Sequence, residues 1–574
     1  MTNPEPYIIP KRHLIALAVI FGAFFLLAGR AAYLQIFATD KLQAEGNARY
    51  LRNEVIKPNR GLIKDRNGKL LAVSTPVDSV WAEPNVLLKN SNRWDELAQA
   101  VGVGSEQIKS SLDTYSSAKR RFMYLKRHLI PLQAATVESL AVPGVHLLRE
   151  YRRYYPQGEI TSNLVGYTDI DDVGLEGIER VMNARLEGEY GLRQVLKDKN
   201  GRTIETVQYV QGVENGKDVV LSIDLRIQHA VHESLTQVLE KQQAAKAISV
   251  VVDVTTGEIL AMANVPSFNP NVVSDRRITR NFAATDVFEP GSVVKPFLVA
   301  KALMDGVVSP ETVIDTAPGE IRLDGFKISD IRNFGELSVS DIIKKSSNVG
   351  VVKIGENIDP NGLMDFYAQI GFGSETASGI SGEQPGLFPR RSKWRASERA
   401  TLAFGYGFSV TPLQLVQAYA AIANGGVLVP LSIVSDDSLV KTRRKIMTSD
   451  LANKMIGMLE KVVTPTGTGS RAAIPHYRVA GKSATVQKLI GGRYSEQNHL
   501  AMFVGFAPAS NPRVAAAVIV DDPKGDVHYG GVVAAPVFKS IMSESLRILD
   551  VPPDNVDKYA SASHTEAASA SEVL

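Results

Sequence analysis

At 574 residues the chain is too long for one ordinary hydrophobic core, so two or three domains are expected. Hydrophobic residues at 44% and charged residues at 22% are ordinary for a folded globular protein, and 64 basic against 61 acidic residues leave +3, too small an excess to argue for a nucleic-acid partner. The absence of cysteine excludes disulfides, thiol nucleophiles, a lipidated N-terminal cysteine and Cys-based zinc sites.

The first predicted element is an apolar helix. Lys11 and Arg12 precede an uncharged run from His13 to Gly29, which Arg30 ends. At 1.5 Å per residue the run spans about 25 Å, slightly short of a bilayer core of roughly 30 Å. Arg30 can snorkel, and Ala31 to Phe37 extend the apolar helix with Tyr33 at the interface. A cleaved signal peptide and a buried helix are the competing readings. The run exceeds a usual signal core, and only Gly29-Arg30-Ala31 faintly resembles a cleavage site. Residues 13–37 are therefore read as an uncleaved single-pass anchor. Residues 1–12 are a cytoplasmic tail, and the bulk of the chain lies outside, because basic residues mark the cytoplasmic side.

Residues 38–57 are charged and mixed and read as a juxtamembrane stalk. Residues 58–216 alternate short β-like runs with turn signals, Asn67-Gly68 being one tight turn, and form a non-catalytic N-terminal module. Residues 217–549 change texture. Ile227 to Leu239 has helical spacing, Ala247–Val254 and Glu258–Asn264 flank the turn Thr256-Gly257, and Pro412–Asn424 is a helix closed by Gly425-Gly426. Leu500–Phe506 and Arg513–Val520 form a second hairpin, and Tyr477–Val486 is a fifth strand. Strands from both ends enclosing central helices predict an α+β chain whose C-terminal domain is an α/β sandwich on a five-stranded, mainly antiparallel sheet. Residues 550–574 are Ala/Ser-rich and are expected to be disordered.

Three short segments carry chemistry. In Glu289-Pro290-Gly291-Ser292-Val293-Val294-Lys295-Pro296, the non-helical Glu-Pro-Gly precedes an apolar helical run. Pro296 is tolerable only if the helix has just begun, so Ser292 sits at a helix start with Lys295 one turn on. A serine hydroxyl needs a base, and a partly desolvated lysine at a positive helix end can be one. A bare S-x-x-K is nonetheless more often a helix cap followed by a surface lysine. Ser346-Ser347-Asn348 interrupts the apolar stretches Val339–Ile343 and Val349–Ile354, giving a tight helix-to-helix junction with a hydroxyl two residues before a carboxamide. Alone it would be read as a polar loop. Gly481-Lys482-Ser483-Ala484-Thr485 lies on the fifth strand, where alternation points Lys482 and Ala484 one way and Ser483 and Thr485 the other. It is not a phosphate-binding loop, which would need glycine where His476 stands.

Together, in the order S-x-x-K, S-x-N, K-S-x-T, these segments resemble the penicillin-binding proteins. The resemblance is closest to the class B, division-type (FtsI-like) peptidoglycan D,D-transpeptidases. It covers roughly residues 12–545 and includes Arg60-Gly61, Arg153 to Gly158, Gly174 to Glu179 and Ala403 to Gly407. It implies that Ser292 attacks the penultimate D-alanine carbonyl of a stem peptide and that Lys295 takes its proton. It further implies that Ser346 relays a proton to the leaving amine, Asn348 orients the substrate amide and Lys482 supplies positive charge. Ser483 and Thr485 then bind the terminal carboxylate, and the Ser292 and Thr485 N–H groups form the oxyanion hole. No cofactor or metal is implied. The implied partners are peptidoglycan stem peptides, β-lactam antibiotics, an FtsW-like polymerase and other division proteins, and the implied location is the bacterial inner membrane with the bulk of the chain periplasmic. Ala484 departs from the glycine usual in the family.

Other functional classes fit these residues less well. A D-alanyl-D-alanine carboxypeptidase or β-lactamase must activate water, and no carboxylate motif for that is evident. An elongation-type transpeptidase differs from a division-type one only by resemblance. A non-enzymatic scaffold or β-lactam sensor is disfavoured by retention of every catalytic side chain.

Overall fold

The computed structural model describes residues 10–118, 120–197, 203–273, 275–435 and 442–555, so the expectations for the extreme N-terminus and for the tail from residue 556 lie outside the described residues. The chain divides into two units, Met1–Pro58 with Gly188–Asn215, and Asn59–Glu187 with Gly216–Leu574.

In the first unit, a helix over Lys11–Ala32 continues as a π-helical turn over Tyr33–Phe37. No acidic or basic side chain interrupts it between Arg12 and Arg30, its residues are unburied, and the mean hydropathy of its most apolar window is 2.2. It is long and apolar enough to cross a membrane, as a single-pass protein requires. Among the described residues no other helix is. A second helix, Thr39–Tyr50, leads into Leu51–Ile56, which pairs with Gly191–Lys197, and that strand with Thr203–Gln211, in an antiparallel sheet.

In the second unit, the long strand Leu70–Ala82 pairs with Met123–Leu129 on one side and Val145–Tyr154 on the other. The helices Trp94–Val101, Ser105–Ser117 and Pro131–Leu140 bury Leu97, Leu112 and Val137 against Val80 and Met123. The family-like segments around Arg60, Arg153 and Glu179 meet in one buried cluster. Glu179 accepts from Arg60 Nε at 2.8 Å and Arg153 Nε at 2.6 Å, and Arg153 also donates to Ser74 Oγ at 3.1 Å. Paired guanidinium and carboxylate groups of this kind tie distant segments together.

The remainder is the predicted sandwich. Its elements are α1 (Leu225–Gln242), β1 (Lys246–Asp253), β2 (Ile259–Val265), α2 (Lys295–Met304), α3 (Val339–Lys345), α4 (Asn348–Gly355), α5 (Pro412–Ala423), α6 (Ser449–Val463), β3 (Ala480–Ile490), β4 (Arg493–Ala507), β5 (Val514–Asp521) and α7 (Gly530–Ile548). The sheet order is β2-β1-β5-β4-β3, every neighbouring pair antiparallel. Strand alternation divides the core. Ile248, Val250 and Val252 of β1 join the side filled by α2 and α5, while Ala247 and Val251 face Val231 and Leu235 of α1 and Phe538 and Ile541 of α7. Both faces are covered, which is why β1, β2 and β5 read as continuous apolar runs rather than alternating ones. The lysine-bearing strand β3 lies at the sheet edge beside the start of α2.

Candidate active site

The segment before Ser292 is fixed from one side. Phe288 and Val410 exchange backbone hydrogen bonds at 3.0 and 2.9 Å, and Gly291 N donates to Gly405 O at 2.9 Å. Gly291 has φ of +56°, and a Cβ there would lie 2.4 Å from Val486 Cγ2 of β3, so only glycine lets the turn touch the strand. Gly405, within the Ala403 to Gly407 segment, approaches so closely that its own Cβ would meet Gly291 O at 2.2 Å.

Ser292 follows on a 3₁₀ turn, Gly291–Val294, that runs into α2 at Lys295, with Pro296 in its first turn. The reading of Ser292 at a helix start thus matches the local structure. From beneath, the fully buried Tyr419 of α5 donates its hydroxyl to Val293 O at 2.7 Å.

Ser346 ends α3 in the left-handed region, at φ 61° and ψ 40°, and Ser347 caps α4 by accepting from Gly350 N at 2.9 Å. The junction is therefore two residues long, and the turn sets Ser346 Oγ between two buried ammonium groups. Lys295 Nζ donates to Ser346 O at 2.7 Å, to Asn348 Oδ1 at 2.7 Å and to Ser346 Oγ at 3.3 Å. Lys482 Nζ donates to the same Ser346 Oγ at 2.9 Å and to Ser483 O at 2.9 Å. Burial lowers the Lys295 ammonium to about 7, with the Asp330 carboxylate opposing the shift. Burial, and then the like charge of Lys295, hold Lys482 well below its ordinary value.

Ser483 and Thr485 lie on the other side of β3. Ser483 Oγ is 3.1 Å from Thr468 Oγ1, and Thr485 Oγ1 accepts from Gly530 N, the first residue of α7, at 3.0 Å. Ala484 is buried on the Lys482 side, and its methyl would lie 3.8 Å from a Cβ at Gly291. The ladder runs unbroken past this methyl, since β3 keeps its register with β4 from Ala480 to Gln487.

Sequence reasoning assigned no role to four residues, Asp330, Thr468, Glu289 and Tyr494. Asp330, just after the strand Phe326–Ser329, accepts from Ser347 Oγ at 2.6 Å, from Asn348 N and from Val349 N at 3.1 Å. Nothing in Ser329-Asp330-Ile331 distinguishes it from a loop aspartate. Thr468 lies in Thr464-Pro465-Thr466-Gly467-Thr468-Gly469, which announces only a turn. Glu289 accepts from Gly407 N at 2.8 Å and from Tyr494 OH at 3.1 Å, and burial raises its carboxyl. Tyr494 also meets the Tyr406 ring edge-on at 5.4 Å. The Tyr494 hydroxyl thus joins the β3–β4 hairpin to the turn that leads into Ser292.

A serine heading a helix, a lysine held near neutrality one turn on and a second buried lysine on the sheet edge define the class of active-site-serine acyltransferases. The chain matches the penicillin binding protein transpeptidase domain over residues 247–543 and the penicillin-binding protein dimerisation domain over residues 55–221. It is 41% identical over 543 residues to the peptidoglycan D,D-transpeptidase FtsI of Escherichia coli K12, covering 93% of this chain and 91% of that protein. It is 37% identical to the probable peptidoglycan D,D-transpeptidase PbpC of Pseudomonas aeruginosa, covering 95% and 96% of the two chains. The transpeptidase domain of Burkholderia pseudomallei penicillin-binding protein 3 is similar over 58% of this chain and 97% of that one, at 41% identity and a TM-score of 0.54. Mycobacterial penicillin-binding protein 3, solved with aztreonam, is similar over 87% of this chain and 98% of its own, at 27% identity and a TM-score of 0.66. The chain belongs to the class B penicillin-binding proteins of the FtsI type.

Proposed function

We propose that Ser292 is the nucleophile with which this chain, a peptidoglycan D,D-transpeptidase of the division septum, forms its acyl-enzyme. Lys295, near neutrality, takes the hydroxyl proton as Ser292 Oγ attacks the carbonyl of the penultimate D-alanine. The Ser292 and Thr485 N–H groups hold the oxyanion. The proton reaches the leaving D-alanine amine through Ser346 Oγ, and the C–N bond breaks. The amine of a second stem peptide then attacks the ester, returns a proton along the same path and frees Ser292. Asn348 orients the donor amide, while Ser483 and Thr485 hold its terminal carboxylate. Burial disfavours charge on Lys482, so the arriving carboxylate supplies the counter-charge that lets it carry its proton.

The observation that supports this reading is the convergence of all three motifs on one hydroxyl, Ser346 Oγ, at 3.3 Å from Lys295 Nζ and 2.9 Å from Lys482 Nζ. β-Lactams, as mimics of the D-Ala-D-Ala end, acylate the same serine. Lys11 and Arg12 favour a cytoplasmic N-terminus with the catalytic domain outside the membrane. An FtsW-like polymerase is the partner expected of a division-type chain. The domain limits 58–216 and 217–549 remain the working division into N-terminal module and transpeptidase domain. Release of D-alanine from a pentapeptide donor, with transfer to an added amine, tests the activity. Hydrolysis alone, with no aminolysis product, would make the chain a carboxypeptidase.

A further inference from the structure

The hairpin Glu320–Leu323 and Phe326–Ser329 belongs to none of the three motifs, yet it carries a carboxylate to the back of one of them. Asp330 Oδ2 accepts from Ser347 Oγ at 2.6 Å. Asp330 Oδ1 accepts from the first two backbone N–H groups of α4, those of Asn348 and Val349. The neighbouring Ser329 O accepts from Asn348 Nδ2 at 2.9 Å. Asn348 is thereby held at its backbone N–H and at its Nδ2, while its Oδ1 receives Lys295 Nζ at 2.7 Å. One carboxylate thus caps the helix that presents Asn348, and it stands behind the contact between Asn348 and Lys295.

We propose that Asp330 is a positioning residue for the reaction, holding the Ser346–Asn348 junction in register with Lys295 and placing its negative charge behind the Asn348–Lys295 contact. The inference rests on the reading of Lys295 as the base. The site is short of negative charge. Facing Lys295 from β3 is Lys482, a basic group whose charge burial disfavours. On α3, Lys345 Nζ turns away to Thr466 O at 2.9 Å, and Asp341 accepts from Ser338 at the far end of that helix. Arg332, two residues beyond Asp330, stacks over the Phe334 ring at 5.2 Å. The Asp330 carboxylate is the charge that opposes the depression of Lys295 by burial. Its negative end also lies at the N-terminus of α4, where a helix favours an anion. Without it the ammonium form of Lys295 loses its counter-charge, so Lys295 releases its proton at lower pH. Losing the clamp has a different effect, since a misaligned Asn348 slows acylation at every pH.

The two effects separate in two substitutions. Asp330→Asn keeps the shape and one acceptor oxygen for the α4 N–H groups but removes the charge. Asp330→Glu keeps the charge on a longer arm. The measurement is the second-order rate of acylation of the full chain by a fluorescent penicillin between pH 5 and pH 9, with thermal melts to confirm folding. The Asn variant is expected to show its acid limb displaced to lower pH. The Glu variant is expected to keep the limb near the wild-type position with a lower plateau. A folded Asn variant whose limb coincides with wild type overturns the proposal, whether or not its plateau falls. A wild-type profile with no acid limb fails separately, because it removes Lys295 as the base and leaves the Asp330 contacts unaffected.

Discussion

Lys295 and Lys482, both fully buried, donate to the same oxygen, Ser346 Oγ, from 3.3 and 2.9 Å. Two ammonium groups this close and this buried cannot both be charged cheaply, so the shared hydroxyl lies beside at least one neutral amine. Ser346→Ala removes that bridge without touching Ser292, the proposed nucleophile. Its acylation rate constant is expected to fall about 10²- to 10⁴-fold, the range for losing a positioned proton relay. Stopped-flow acylation measures it, and a loss below tenfold would argue that the proton travels another way.

The Lys295 shift carries a pH dependence. Lys295, the proposed base, acts when neutral, and burial brings its ammonium to about 7. Acylation should rise with pH up to about 7, roughly tenfold per unit on the acid side, and level off above. A base with an ordinary lysine pKa would instead give a rate still climbing above pH 9.

Tyr419 supports the nucleophile turn through its hydrogen bond to Val293 O at 2.7 Å. Tyr419→Phe leaves that carbonyl buried without its donor, at about 1–3 kcal/mol of stability. A lower melting temperature with a modest loss of acylation is expected. A melting temperature equal to wild type would show that the bond contributes nothing net.

Glu179 is completely buried between Arg60 and Arg153. Glu179→Ala strands both guanidinium groups, and breaking a buried pair from one side costs about 3–5 kcal/mol. Denaturant titration should show that loss. At a permissive temperature the penicillin adduct should still form, because the hydrogen bonds of the cluster run to Asn183 and Ser74 and not to Ser292, Lys295, Ser346 or Lys482.

Ala484 shares the Lys482 side of β3 and is buried beside Gly291. Ala484→Gly should acylate faster with at least some β-lactams and lose about 0.5–1 kcal/mol of stability, the usual effect of glycine within a strand. The unbroken β3–β4 register leaves room for the other outcome. Equal rates across a β-lactam panel would show the methyl to be neutral.

Much of the site was legible in the sequence because its signals are local. Glu289-Pro290-Gly291 cannot be helical, so Ser292 had to stand where a helix starts. Two apolar runs flanking Ser346-Ser347-Asn348 forced a junction there. Strand alternation separated Lys482 and Ala484 from Ser483 and Thr485. Asp330, Thr468 and Tyr494 escaped because each reaches its partner across the fold, with nothing in its own neighbourhood to mark it. The same is true of Arg60, Arg153 and Glu179. Their segments were noticed by resemblance, but that one carboxylate joins them follows only from the packing. Nor could periodicity show that β3 would bury Lys482, since an edge strand with hydroxyls reads as half-exposed.

The most direct test of the central claim is peptide mapping by mass spectrometry after incubation with penicillin. The mass of the penicilloyl group should appear on the peptide containing Ser292, and Ser292→Ala should abolish labelling while leaving the melting temperature near wild type. An adduct on another residue, or full labelling of the folded Ser292→Ala chain, would contradict the account.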